Sequence, residues 1–168
     1  TTAIFRVNNK RMIIAGSNLT RNSQNTRCPN NDTLFNYGTF TTDRSINGQG
    51  TSSFYNGGSG TLNIQRVLHT TGTVIASETG NTINYNRTGS NNQTIKETFD
   101  GYYNLTIDGN NINSDKNLVA GTVVLNDFTI NASTFRHADT FSLYVGGDFS
   151  LVSGDYQNDG GRLVFNGS

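Results

Sequence analysis

Residues 161–168 read Gly-Arg-Leu-Val-Phe-Asn-Gly-Ser, and residues 80–90 read Gly-Asn-Thr-Ile-Asn-Tyr-Asn-Arg-Thr-Gly-Ser. Both segments consist of a glycine, an alternating strand, an aromatic residue, an asparagine and a Gly-Ser turn. The aromatic residues Tyr85 and Phe165 lie roughly 80 residues apart, and self-similarity of this kind is the mark of a repeat architecture. The sequence therefore predicts an array of repeated units, an architecture that makes extended surfaces.

Short runs of alternating apolar and polar residues predict short β-strands along the chain. Gly, Asn and Asp turn residues flank each run, and no stretch has a convincing helical period. Short strands with frequent turns favour a parallel β-solenoid with coils of roughly 20 residues stacked at about 4.8 Å. A β-sandwich is the alternative. The predicted strands are 62–64, 74–76, 83–85, 105–107, 123–125, 128–130, 143–145, 149–151 and 163–165.

The composition indicates a folded protein with a thin core and a polar surface. Only 33% of the 168 residues are hydrophobic and 14% are charged, yet the net charge is zero and the chain has 7 Tyr and 10 Phe. There is no basic patch for nucleic acid and no apolar run of about 18 residues for membrane insertion. The single cysteine, Cys28, excludes an internal disulfide and predicts a free or intermolecular thiol.

The first 33 residues differ from the rest. Residues 4–7 and 12–14 are continuous apolar strands, and residues 21–31 are polar without periodicity. We expect an exposed loop at residues 21–31, a docking element within residues 1–33, and a β-solenoid over residues 34–168. The docking element would self-associate by strand addition through six apolar residues: Ile4, Phe5, Val7, Met12, Ile13 and Ile14.

The last half of the chain resembles a known family. Residues 82–86 (Thr-Ile-Asn-Tyr-Asn), 102–107 (Tyr-Tyr-Asn-Leu-Thr-Ile), 118–125 (Leu-Val-Ala-Gly-Thr-Val-Val-Leu) and 163–168 follow in order. This pattern is similar to repeats of giant secreted adhesins and gliding-type surface proteins of Bacteroidetes. The resemblance implies a right-handed parallel β-helix, secretion to the bacterial cell surface and an adhesive role. It supplies no catalytic residues.

Candidate catalytic groups are few, and we predict no enzyme activity. His69 and His137 lie outside any nucleophile-elbow motif and are expected on the coil surface. A glycosidase needs two facing carboxylates, and three acidic residues could align on successive coils. They lie beside glycines, where Asp is a routine turn former: Asp148, Asp155 and Asp159.

Metal binding and glycosylation are the remaining candidate site chemistries. Oxygen ligands within one loop could hold Ca²⁺, although a plain Asn/Asp turn explains the same residues: Asp108, Asn110, Asn113 and Asp115. Thr33 follows Asp32 and precedes Leu34, as in the O-glycosylation acceptor of Bacteroidetes, and Thr140 is a looser match.

An ice-binding face would need a regular Thr-x-Thr ladder on one side of the fold. The sequence has isolated instances, at residues 39–41 and 71–73, and these do not predict a ladder.

The sequence predicts a structural or adhesive extracellular rod. We expect either a segment of a longer array or a self-assembling filament subunit, because no initiator Met begins the chain and its last coil starts at residues 161–168 without closing. The partners would be further copies, the rest of a longer chain, or surface glycans. The alternative is a carbohydrate-binding or carbohydrate-cleaving β-helix whose exposed aromatic residues stack on sugars: Tyr37, Tyr55, Tyr102, Tyr103 and Tyr156.

Overall fold

The computed structural model describes residues 12–109, 114–138 and 140–167, which form a parallel β-solenoid of about seven turns. None of the described residues lies in a helix, so none forms a helix able to span a membrane. The strands are β1 (Met12–Arg21), β2 (Thr26–Cys28), β3 (Thr33–Thr42), β4 (Ile46–Gly48), β5 (Ser53–Asn56), β6 (Thr61–Ile64), β7 (Thr73–Ile75), β8 (Thr82–Tyr85), β9 (Gln93–Ile95), β10 (Asn104–Ile107), β11 (Asp115–Leu118), β12 (Thr122–Val124), β13 (Phe128–Ile130), β14 (Thr134–Ala138), β15 (Ser142–Val145), β16 (Phe149–Leu151), β17 (Asp155–Asp159) and β18 (Arg162–Phe165).

Each coil contributes strands to three faces. Face 1 contains the first half of β3, then β5 and β7, then β12, β15 and β18, with Tyr102 bridging Ala76 to Val124. Face 2 contains the second half of β3 and β6, β8, β10, β13 and β16. Face 3 contains β2 and β4, then β9, β11, β14 and β17. Every one of these strand pairs is parallel, so the sandwich alternative is wrong.

All nine predicted short strands are confirmed to within one residue at their ends. Their alternation sends one side chain inward and the next outward. On face 2 the inward side chains of successive coils pair in register and are buried, as in the run from Phe40 through Leu62, Ile83 and Leu105 to Phe128. The core is therefore a stack of apolar layers between the three faces.

Asparagine also lies inside the stack. Asn36, Asn56 and Asn81 are fully buried, one coil apart, at the corner between faces 1 and 2. Asn36 Nδ2 donates to Asn56 Oδ1 at 2.7 Å, and Asn56 Nδ2 lies 3.4 Å from Asn81 Oδ1. Asn56 Nδ2 also donates to the Gly60 and Thr82 carbonyls at 3.0 and 3.1 Å. These amides add hydrogen bonds to buried backbone groups at the turn, including the Gly60 carbonyl, which also accepts from Thr82 N at 2.9 Å.

The predicted exposed loop at residues 21–31 is wrong for its central part. Thr26 and Cys28 are 1% exposed and belong to β2, which pairs in parallel with β4. Strand β1 likewise pairs with β3, so the coils continue across residue 33. Of the six predicted self-association residues, Ile4, Phe5 and Val7 lie outside the described residues, Met12 and Ile13 begin β1, and Ile14 is buried within it.

The near-repeat of residues 80–90 at 161–168 is not a structural repeat. Tyr85 lies in β8 on face 2 and is fully buried, whereas Phe165 lies in β18 on face 1 and is 57% exposed. The true period is the coil: Thr33, Ser53 and Thr73 are register partners 20 residues apart.

One coil is longer than its neighbours on face 1. Ala76 bridges to Tyr102, 26 residues later, whereas the face 2 partners Thr82 and Asn104 are 22 residues apart, so the added residues lie in the corner at 77–81. Two buried tyrosines hold the segment 96–99 later in this coil. The hydroxyls of Tyr85 and Tyr102 lie 3.0 Å apart, Lys96 N donates to the Tyr85 hydroxyl at 2.9 Å, and the Tyr102 hydroxyl donates to the Lys96 carbonyl. Burial raises the pKa of Tyr85 to about 12, so both hydroxyls stay protonated near neutral pH.

Candidate binding surfaces

Aromatic side chains form a cluster on the outside of face 1. Phe35 and Tyr55 are register partners on β3 and β5, with ring centroids 5.4 Å apart, and Tyr37 lies 5.8 Å from Tyr55 and 6.2 Å from Phe35. Gly57 lies beneath the two tyrosine rings, where a Cβ atom would come within 2.5 Å of each. Its lack of a side chain allows the rings to close over the corner.

A carboxylate borders this aromatic cluster. Glu78 is exposed and accepts hydrogen bonds from the Tyr55 hydroxyl and, at 2.7 Å, from Gly58 N. The cluster thus offers ring faces with hydrogen-bonding groups at one edge, an arrangement that suits a partner with both apolar and polar sides.

The structure separates the five aromatic residues that were predicted to stack on sugars. Tyr37 and Tyr55 come together as described. Tyr102 is fully buried and Tyr103 is half-buried, and Tyr156 packs against Phe135 at 5.8 Å near the end of the stack. These five residues therefore do not form one sugar-binding row.

Face 2 carries a two-column array of small polar side chains, which we call the polar face. It is not a regular Thr-x-Thr ladder, since Thr39 and Thr41 form the one row of two threonines among these columns, but it brings together polar residues that are one coil apart in space and distant in sequence. The inner column runs in unbroken register, and each member of the outer column lies two residues earlier in the chain, within the strand in the first five rows and just before it in the last two. The inner column is Thr20, Thr41, Asn63, Asn84, Thr106, Thr129 and Ser150, and the outer column is Asn18, Thr39, Thr61, Thr82, Asn104, Asp127 and Asp148.

An open groove of about 390 Å³ lies beside the segment 96–99. Val67 and Val119 form apolar walls, 46% and 48% exposed, and Lys96 and Glu97 add opposite charges. The groove therefore presents no net charge that would select an ion.

Both histidines are buried, so their predicted surface positions are wrong. His69 Nε2 lies 3.2 Å from Ser52 Oγ and 3.1 Å from the Ser52 carbonyl, which can only accept. Nε2 therefore carries a proton and is not the base that would activate Ser52. His137 lies between the Tyr156 hydroxyl and the Phe141 carbonyl, at 3.0 and 2.8 Å.

Sequence analysis did not identify Lys116, which is fully buried on β11. Its Nζ donates to Ser114 Oγ at 3.0 Å and to the Arg87 carbonyl at 3.3 Å. Burial, with the nearby Arg87 charge, lowers the pKa of Lys116 to about 8. The amine thus stabilises a corner of the coil. The alternation of inward and outward residues in β11 was the sequence signal that Lys116 points inward.

The acidic residues do not converge. Asp155 and Asp159 begin and end the single strand β17, while Asp148 precedes β16 on another face, so these three residues do not align on successive coils. Asp108 Oδ1 accepts from Gly109 N at 2.6 Å, and Asp115 Oδ2 accepts from Arg136 Nε at 2.7 Å.

The remaining predicted sites are those for calcium, glycosylation and the cysteine thiol. Asn110 and Asn113 of the calcium prediction lie outside the described residues, which contain no group of three or more His, Cys, Asp or Glu side chains placed to hold a metal. Thr33 lies in β3 and not in a loop, and Thr140 is an exposed turn residue. Cys28 is a free thiol, and burial raises its pKa, which makes it a poor nucleophile.

Comparison with protein-family models, curated proteins and solved structures gives no significant match.

Proposed function

We propose that this chain is part of an extracellular structural and adhesive rod on a bacterial cell surface. The observation that carries the proposal is the register between coils, which aligns equivalent outward positions along the rod. A surface feature such as the polar face then extends across seven coils. The resemblance of residues 80–168 to adhesin repeats supports the cell-surface location.

The edge of the last described coil supports assembly into a longer rod. Leu151 is 50% exposed and Phe165 is 57% exposed, whereas their register partners one coil earlier, Ile130 and Val145, are fully buried. These side chains match those that pack coil on coil inside the stack. A further parallel coil, from a longer form of this chain or from a second copy, is therefore the complementary occupant, and it would also pair the exposed strand edge.

We expect the 168-residue protein to form end-to-end assemblies at micromolar concentration, measured by sedimentation velocity and negative-stain microscopy. The double variant Leu151→Lys/Phe165→Lys should need at least a tenfold higher concentration, because it places charge on the packing edge. Val119→Lys is the matched control, since Val119 is similarly exposed at 48% but lies on a corner beside the groove. Monomers at every concentration, or equal assembly by all three proteins, would contradict end-to-end stacking.

Carbohydrate binding is a second candidate function, favoured by the aromatic cluster of Phe35, Tyr37 and Tyr55 beside Glu78. Ring faces stack on the apolar faces of sugars, and a carboxylate accepts hydrogen bonds from sugar hydroxyls. On a glycan array, Tyr37→Ala should reduce retention of any bound glycan at least tenfold, while Tyr144→Ala, farther along the same face, should retain it. An array with no bound glycan, or equal loss in both variants, would exclude this function.

A further inference from the structure

The polar face has a regular geometry in two directions. Successive coils place equivalent side chains about 4.8 Å apart, and the two columns are about 6.6 Å apart because each strand rises about 3.3 Å per residue. The inner column keeps this register from Thr20 to Ser150 without a shift. The result is a lattice of hydroxyl and amide groups.

Hydrogen bonds along the columns fix the asparagine side chains. Asn63 Nδ2 donates to Thr41 Oγ1 at 3.1 Å, and Asn84 Nδ2 donates to Asn63 Oδ1 at 3.2 Å. In the outer column Asn104 Nδ2 lies 3.5 Å from Thr82 Oγ1. Because these side chains are already ordered, they lose little conformational entropy when a partner binds.

The chemistry of the polar face narrows the kind of partner. Each coil contributes one row, which is one residue of the outer column and one of the inner column. The first five rows, from Asn18 and Thr20 to Asn104 and Thr106, contain no charged and no aromatic side chain. Nucleic acids require positive charge, and protein partners are held by a buried aromatic and apolar core. Sugar-stacking rings lie on face 1. What remains is a partner recognised only by regularly spaced hydrogen-bonding groups.

We propose that the polar face binds ice. Threonine hydroxyls and asparagine amides at fixed spacing hydrogen-bond a row of waters, and such ordered waters bind nearly as well as direct partners. A single contact contributes little free energy of binding, but many contacts made together along the columns hold the protein firmly on an ice surface. This activity does not depend on end-to-end assembly of the rod.

The test is an ice-recrystallisation assay on the full chain, with incorporation of labelled protein into a growing ice hemisphere as a second readout. Thr106→Tyr places a bulky ring at the fifth row of the polar face, and Thr41→Tyr places one at its second row. We expect each to raise the inhibiting concentration at least tenfold. The matched control Thr94→Tyr changes an exposed outward residue on face 3, and it should retain the activity.

Thermal unfolding followed by circular dichroism verifies that the variants remain folded, and the two substitutions at separate rows guard against one that misfolds. The proposal is overturned if the wild-type chain inhibits recrystallisation no better than serum albumin at equal mass. It is also overturned if Thr94→Tyr loses as much activity as the folded variants on the polar face.

Discussion

Phe128→Ala is expected to lower the free energy of unfolding by about 3–5 kcal/mol. Phe128 is fully buried where two faces meet, with its ring centroid 5.0 Å from Phe135 and 5.5 Å from Phe149. Removing the ring leaves a cavity that the parallel strands around it cannot close, because their backbone pairing fixes the coil spacing. The loss is a large part of the roughly 5–15 kcal/mol that stabilises a typical domain.

Denaturant unfolding measures this loss, and hydrogen exchange locates it. Because each coil contacts only its neighbours, we expect faster exchange mainly in β10, β13 and β16. Phe99→Ala is the control: Phe99 is 76% exposed, so the change should stay within about 0.5 kcal/mol. Equal destabilisation by the two substitutions would contradict the described core.

Asn56→Ala is expected to lower the free energy of unfolding by about 2–4 kcal/mol, because it removes three hydrogen bonds inside the stack and each contributes about 0.5–1.5 kcal/mol. The substitution removes the acceptor of the Asn36 amide and the donor to the Gly60 and Thr82 carbonyls. Thermal and urea unfolding should both show it. The control Asn117→Ala changes a half-buried outward asparagine on face 3. If it lowers the free energy of unfolding as much as Asn56→Ala does, the buried asparagines at the corner between faces 1 and 2 have no special role in stability.

The fold was predictable from the sequence because alternation is a local signal. Strands such as β10 and β13 need only three or four residues to show it, and their turn residues mark the ends. Strand β2 was not recognised because Arg27 separates Thr26 from Cys28 and Pro29 follows, which is a polar context without apolar alternation. In the structure, pairing with β4 determines its conformation, and that contact is long-range.

The candidate surfaces were harder to predict because a solenoid brings together residues from different coils. Thr41, Asn63 and Asn84 are neighbours on the polar face, yet they are 22 and 21 residues apart in sequence. A search for local Thr-x-Thr patterns does not find them. His69 and His137 were predicted on the surface because polar residues are usually exposed. In the structure, interior carbonyl and hydroxyl groups are their hydrogen-bond partners.

The long coil at residues 76–102 shows where such a protein tolerates changes in length. Its extra residues sit in the corner at 77–81, and the next strand, β8, still pairs with β6 and β10, while Tyr102 still bridges Ala76 to Val124. A corner can thus gain or lose residues during evolution without moving any column on the faces. Duplication of one whole coil would add one residue position to every column at once. Descendants of this chain could therefore differ in length and keep the same surfaces.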